Sequence, residues 1–386
     1  MKNFVYDIPT KVYFGENQLT GNLSNELKKY GSKVLLVYGG GSIKKIGLYE
    51  KIIAELKNSD LKLFELSGIE PNPRHTSVNE GAKICKTEDI DVILAVGGGS
   101  VIDASKFIAA GKYYDGDTWD FLTGKADIKA ALPIVNILTL AATGSEMDAG
   151  GVITNLDTKE KLGRIDSHLQ PKVAFLDPTN TYTVSRYQTA CGSVDILSHI
   201  IETYFAREPG LFMLDTVMEG LMKTVIKYTP IALSQPNNYE ARANLMWTSS
   251  WAINGFVRAD KPHAWSCHPL EHELSAFYDI THGLGLAILT PRWMKYVLNE
   301  KTVDKFYQFG VNVFDIDKRE SKTDVANQAI KLLEEFLYKD LGMTYNLTKL
   351  NISDEYFGTM AERIGTLNGF VNLDKNDIIN IYEMCL

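Results

Sequence analysis

Asp91-Val-Ile-Leu-Ala-Val-Gly-Gly-Gly-Ser-Val-Ile-Asp-Ala-Ser-Lys106 decides the fold class. The run Val92 to Val96 is apolar on both faces, too short for a helix and closed by glycines, as a buried parallel strand should be. The residues after the glycines have helical spacing, so strand, tight turn and helix follow one another directly. The same order recurs on either side. Lys33-Val-Leu-Leu-Val-Tyr38, Leu61-Lys-Leu-Phe-Glu-Leu66, Pro133-Ile-Val-Asn-Ile-Leu-Thr139 and Val173-Ala-Phe-Leu176 read as further strands, with helix-like stretches at 49–57 and 101–112. Strand and helix alternating every ~25–30 residues predict a doubly wound parallel sheet, an α/β domain over residues 1–180.

After Asp177-Pro178 the texture changes. Segments 186–205, 211–228, 239–253, 283–298 and 323–338 carry 3.6-residue periodicity, and strands nearly vanish. Residues 181–386 therefore read as an all-helical second domain. Two domains suit a chain of 386 residues with 45% hydrophobic and 23% charged residues, a composition that excludes a disordered or fibrous chain. A formal net charge of −8 argues against a nucleic-acid coat or a binder of anionic membranes. The longest apolar run, Ala130 to Leu140, is broken by Pro133 and Asn136 and falls short of the ~18 residues of a membrane span. Met1-Lys-Asn-Phe-Val-Tyr-Asp7 reads as no secretory signal, and Cys85, Cys191, Cys267 and Cys385 stand far apart. A cytoplasmic protein with reduced thiols is the expectation.

Two glycine turns each follow a strand. Gly39, Gly40, Gly41 and Ser42 form the first; Gly97, Gly98, Gly99 and Ser100 form the second and lead straight into a helix. Glycines let backbone approach a ligand, and a helix N-terminus adds free N–H donors, so both can cradle a pyrophosphate. Neither completes G-x-G-x-x-G, and each also fits a plain strand–helix turn. A third turn, Thr139-Leu-Ala-Ala-Thr-Gly-Ser-Glu146, offers hydroxyls that can face a phosphate or ribose, or simply cap the next segment.

Of seven histidines, His263, His268, His272 and His282 crowd into one short stretch. Upstream, Asp195 and His199 stand four apart within a helical run, so both face one way. His268 and His272 repeat that spacing, and His282 opens the next helical run. One carboxylate with three imidazoles suits Fe(II) or Zn(II). Periodicity leaves open which three of the four clustered histidines take part.

These residues resemble the iron-containing (group III) alcohol dehydrogenases, a superfamily that includes glycerol dehydrogenase and, more distantly, dehydroquinate synthase. The resemblance runs from Pro9-Thr-Lys-Val-Tyr-Phe-Gly15 through Glu70-Pro-Asn-Pro73, Gly97 to Asp103 and Ala142-Thr-Gly-Ser-Glu146 to His268, His272, His282 and Gly283. Tyr38-Gly-Gly-Gly-Ser-Ile-Lys-Lys45 and Glu271-His-Glu-Leu-Ser-Ala276 bring it closest to NADPH-dependent butanol dehydrogenases and broad-range aldehyde reductases. It implies a dinucleotide-binding α/β domain followed by a metal-binding helical one, as in dehydroquinate synthase. Asp195, His199, His268 and His282 become the metal ligands, and His272 a non-ligand beside the nicotinamide. His263 matches nothing. Gly97, Gly98, Gly99 and Ser100 match the pyrophosphate loop, Thr139 and Ser145 hydroxyls near the cofactor, and Lys161 a lysine reaching the nicotinamide ribose, with Lys159 and Lys172 as neighbours in register. Members that prefer NAD carry an acid just after the second strand. Gly39 stands there, which with Gly40, Gly41, Ser42, Lys44 and Lys45 points to NADP(H). A homodimer is also implied.

Hydride transfer between NADP(H) and short-chain aldehydes or primary alcohols is the expected activity, with His272 as a proton relay or a residue that only orients the site. A metal-dependent hydrolase would need no glycine turns on a parallel sheet. A dehydroquinate-synthase-like or glycerol-dehydrogenase-like enzyme using NAD would act on a polar substrate. The stretch Trp251-Ala-Ile-Asn-Gly-Phe-Val-Arg258 and Trp265 instead predict an apolar wall, with Arg258 and Lys261 the basic residues beside it.

Overall fold

The computed structural model describes residues 4–57, 59–205, 211–258 and 265–386. The chain divides into two compact units. One holds Asp7–Val184 and Pro236–Ser250; the other holds Ser185–Gln235, Trp251–Leu386 and the N-terminal residues through Tyr6.

The first unit is built on β1 (Lys11–Phe14), β2 (Lys33–Tyr38), β3 (Lys62–Leu66), β4 (Val92–Gly97) and β5 (Ile134–Leu138). A separate antiparallel hairpin, β6 (Gly150–Asn155) and β7 (Glu160–Ile165), and then β8 (Val173–Leu176) follow. The main sheet runs β1-β8-β5-β4-β2-β3, with every neighbour parallel. Its helices include α1 (Leu23–Lys28), α2 (Ser42–Lys45), α3 (Leu48–Lys57), α4 (His75–Thr87), α5 (Gly99–Gly111) and α6 (Trp119–Thr123). Both faces of the sheet are covered, which explains the two-sided apolar strands. Val34, Leu36, Val92, Leu94 and Val135 pack with Leu23 and Ile52 on one face, while Leu35, Val37, Ile93 and Ala95 pack with Val78, Ile102 and Phe107 on the other. Each such side chain contributes about 1.5–3 kcal/mol by leaving water.

The topology places the turns. From β2 the chain crosses to β3 on one side and returns to β4 on the other, so the strand order reverses between β2 and β4. Ligands of open α/β sheets bind beyond the carboxyl ends of strands at such a reversal. Tyr38 pairs with Val96 and Gly97 with Leu138, so the turns after β2, β4 and β5 stand side by side there.

The second unit contains α7 (Arg186–Tyr204) and α8 (Phe212–Ser234). α9 (Tyr239–Ile253) belongs to the sheet unit up to Ser250. α10 (Cys267–Tyr278), α11 (His282–Val297), α12 (Val303–Phe314), α13 (Lys322–Glu335), α14 (Phe357–Ile364) and α15 (Lys375–Glu383) complete it. Phe205 anchors its core, with ring centroids of Trp293, Phe306, Phe309 and Phe370 at 5.8, 4.7, 5.6 and 5.4 Å. The all-helical expectation needs one amendment, because β9 (Leu367–Asn368) and β10 (Asn372–Leu373) form a small antiparallel pair. Among the described residues no helix is long and apolar enough to cross a membrane.

Candidate metal centre and nucleotide turns

α7 carries Asp195 and His199 one turn apart, both buried. Its start is set by Ser185, whose hydroxyl accepts from the Gln188 N–H as an N-cap. α10 brings His268 and α11 opens with His282. The close approach of α11 to α7 depends on Gly283: a Cβ there would lie 2.1 Å from the Cys191 carbonyl oxygen, so no side chain fits. The result is convergence on one atom. The Nε2 atoms of His199, His268 and His282 lie 3.6, 3.6 and 3.5 Å from Asp195 Oδ1. The His199 and His268 rings stack at 4.6 Å.

Asp195 Oδ1 and His268 Nε2 are sealed from solvent and take no hydrogen bond. Leaving a buried polar atom unsatisfied costs about 1–3 kcal/mol, and a divalent cation among these donors removes that cost. The donor set, one carboxylate and three imidazoles, fits Fe(II) or Zn(II). Asp195, His268 and His282 offer ligand atoms all within 4.8 Å of one another. Burial opposes a charge on Asp195, but the three imidazoles outweigh it and hold the carboxyl well below the usual carboxylate range. Burial also pulls His199 down to about 4, so its ring is the neutral, ligating form at neutral pH. His268 goes the other way: burial disfavours its charge, but Glu202 and Asp195 outweigh this and raise it to about 10, the same anionic surroundings that would favour a cation in place of the proton on Nε2.

Two glutamates back the histidines. Glu202 Oε1 lies 2.5 Å from His268 Nδ1, and Glu271 Oε2 is hydrogen-bonded to His282 Nδ1. Sequence reading passed over both, although Asp195, His199 and Glu202 share one stripe of α7 at i, i+4 and i+7. His272 is half-buried, its ring 6.3 Å from His268 and 5.6 Å from His282. Trp265 packs 4.7 Å from the His268 ring and 5.7 Å from His199, so one indole of the expected apolar wall adjoins the cluster. Trp251 and Phe256 pair with each other at 5.3 Å. Lys261 and His263 lie outside the described residues.

In the sheet unit, Gly98 is the N-cap of α5. A Cβ on Gly99 would meet Thr143 Oγ1 at 2.3 Å, and one on Gly97 would meet Val101 Cγ2 at 2.5 Å. The turn is therefore bare backbone, and Gly99 and Ser100 present the free first-turn N–H groups of a helix. That fits a pyrophosphate. At the first turn Gly41 has φ 97°, and Ser42 opens α2. Lys44 lies over the rings of Tyr38 and Tyr49 at 5.1 and 4.6 Å, and both phenols donate to Glu65.

Thr139 continues β5, its N–H bonded to the Gly97 carbonyl at 3.0 Å. Ser145 is spent largely inside the fold. Its hydroxyl donates to Asp103 Oδ1 at 2.5 Å and accepts from Lys106 Nζ at 2.8 Å. Lys106, fully buried, also bonds Asp148 Oδ1 at 2.7 Å and the Gly150 carbonyl, tying the turn after β5 to the hairpin. Burial holds the Asp103 carboxyl up at about 6 despite these partners. Lys161 is buried on β7 in register with Thr154. Lys159 sits in the hairpin turn with φ 51° and Lys172 just before β8. All four cysteines are free and buried.

Residues 9–178 match the model of the iron-containing alcohol dehydrogenases, and residues 189–386 match that of the C-terminal part of the Fe-containing alcohol dehydrogenase family. The chain is 49% identical to NADH-dependent butanol dehydrogenase A of Clostridium acetobutylicum, covering 99% of both. It is 35% identical to the NADPH-dependent aldehyde reductase YqhD of Escherichia coli, over 99% of this chain and 97% of that one. The crystal structure of NADH-dependent butanol dehydrogenase A from Thermotoga maritima superposes with a TM-score of 0.95 at 38% identity, covering 100% of this chain and 99% of the other. With both halves matched and relatives aligned end to end, the chain belongs to the iron-containing alcohol dehydrogenases.

Proposed function

We propose that the protein is a metal-dependent alcohol dehydrogenase of the butanol dehydrogenase kind, moving a hydride between NADP(H) and short-chain aldehydes or primary alcohols. The convergence of three imidazole Nε2 atoms on Asp195 Oδ1 carries this reading. Asp195, His199, His268 and His282 hold Fe(II) or Zn(II). When bound, the cation polarises a carbonyl oxygen as a Lewis acid. The Trp265 ring shields the cluster from water. His272, one turn from His268, passes a proton between solvent and the oxygen of the substrate. Gly97, Gly98, Gly99 and Ser100 cradle the pyrophosphate with backbone N–H groups, and Thr139, Ser145 and Lys161 lie along the nicotinamide end. Ser145 has one lone pair left for that task.

The nucleotide reading rests on what the first turn lacks. Gly39, Gly40, Gly41 and Ser42 present no acid to repel a 2′-phosphate, and Lys44 adds a positive charge. A preference for NADH is the second reading. It is favoured by the names of the 49%-identical Clostridium relative and the Thermotoga structure, and by Glu65, which offsets the Lys44 charge. Steady-state reduction of butanal on metal-loaded protein decides between them. We expect kcat/KM with NADPH to exceed that with NADH by at least ~10-fold, about 1.4 kcal/mol in transition-state binding. Equal use of NADH overturns the nucleotide part. No reduction with either nucleotide overturns the whole. A homodimer in a cytoplasmic setting completes the proposal, and light scattering tests its oligomeric part.

A further inference from the structure

Three carboxylates are buried around one cluster of imidazoles. Asp195, Glu202 and Glu271 are 3%, 3% and 0% exposed. Anions packed so closely repel one another unless a cation lies among them, and desolvating each costs several kcal/mol. Asp195 faces the Nε2 side of the rings. Glu202 and Glu271 face the Nδ1 side of His268 and His282. An imidazole that donates Nδ1–H to a carboxylate is fixed as one tautomer, with the Nε2 lone pair free to ligate.

The two glutamates are themselves held. Glu202 Oε2 accepts from the backbone N–H groups of Ser266 and Cys267 at 2.6 and 2.8 Å, capping the start of α10, while Ser198 donates to its other oxygen at 3.1 Å. Glu271 Oε1 accepts from the Ser275 hydroxyl, one turn along α10, and a Cβ on Gly285 would crowd its Cγ at 2.7 Å. Neither carboxylate can turn away from its histidine without abandoning those bonds. His199 differs, because its Nδ1 is buried and takes no hydrogen bond.

We infer that Glu202 and Glu271 are positioning residues for the metal. They lock His268 and His282 in the ligating tautomer and add negative charge that strengthens the hold on a divalent cation. The inference rests on Asp195, His199, His268 and His282 being the ligands. Glu271 is the cleaner probe, since Glu202 also caps α10.

The test is Zn(II) affinity of the full chain, stripped and titrated in competition with a chelator, together with the visible spectrum of the Co(II) form. Glu271→Gln keeps an acceptor but removes the charge; Glu271→Ala removes both. We expect Glu271→Ala to bind Zn(II) ~10–100-fold more weakly and to shift the Co(II) bands, with Glu271→Gln between it and wild type. The metal-free melting temperature of Glu271→Gln should match wild type. Zn(II) affinity within ~3-fold of wild type in Glu271→Gln, with unshifted Co(II) bands, overturns the inference even if Glu271→Ala fails to fold. Wild type that takes up neither Zn(II) nor Co(II) overturns the ligand reading along with it.

Discussion

Asp195 in the helical unit and Glu146 in the sheet unit are both shut away from solvent, at 3% and 0% exposure, yet their carboxyl groups are shifted in opposite directions. Burial raises both. Around Asp195 three imidazoles reverse the effect and keep the carboxylate charged. Around Glu146 the Ser250 hydroxyl donates to Oε1 at 2.5 Å and Oε2 takes no hydrogen bond, so burial outweighs the donors and the carboxyl is pushed up to about 7. Partners, not depth, decide the charge of a buried acid. The contrast extends to the two candidate sites. One is assembled from side chains that converge on an oxygen; the other is assembled from glycines, where the absence of side chains leaves backbone donors bare.

Breaking the side-chain site should have the largest effect. His268→Ala or His282→Ala removes one of four donors, and we expect bound metal and activity to disappear while circular dichroism stays that of wild type. Full metal occupancy by elemental analysis in both variants would remove these residues from the ligand set. His272 sharpens the boundary of that site. His272→Ala should keep its metal and slow turnover by ~10²–10⁴-fold, most steeply on the limb of the pH profile that it controls. A rate unchanged at every pH would make it scaffolding.

Glu146 provides the converse experiment. Its folded-state pKa of about 7 lies above the ordinary 4.5, so the folded chain keeps a proton that the unfolded chain releases. Stability should therefore fall as pH rises from about 4.5 to about 7, by about 3 kcal/mol in all. Glu146→Gln, which still accepts from Ser250, should flatten that slope in denaturant titrations at pH 5 and pH 8. An unchanged slope means the acid is charged after all. The smallest expected effect belongs to the first glycine turn. A Cβ on Gly39 would lie 3.1 Å from the Ile69 carbonyl oxygen, whereas one on Gly40 meets nothing within 4 Å. Gly40→Asp is thus the cleaner way to place an acid there. It should cut the NADPH:NADH ratio of kcat/KM by ~10-fold, about 1.4 kcal/mol; an unmoved ratio would assign nucleotide choice elsewhere.

The buried parts of the fold were legible because burial writes itself into composition. β2, β4, β5 and β8 are apolar on both faces and could be read directly. β1 was not, since Lys11-Val-Tyr-Phe14 lies at a sheet edge with exposed ends. The hairpin β6–β7 is not legible in the sequence because Glu160 and Arg164 look like loop residues when one face of a strand is not covered, and Lys161, though buried, reads the same way. α8 runs past its expected end through Pro230 to Ser234, since a proline forfeits a single backbone bond and the rest of the turn still packs. His199 was visible from its spacing to Asp195, whereas the choice of His268 and His282 among the clustered histidines rests on the family resemblance. Glu202 and Glu271 were not visible, because a glutamate on a helix reads as a solvated face until its neighbours are known.

Gly283 gives the helical unit a datum surface. Where α11 begins, the main chain of Gly283 lies against that of Cys191 with no room for a side chain between them. The approach of Asp195 to His282 is therefore limited at one point by main chain, apart from the hydrophobic residues that pack the two helices elsewhere. Volume-conserving exchanges among those residues leave that stop in place, so they should change how tightly the unit packs more than the distance between the two side chains.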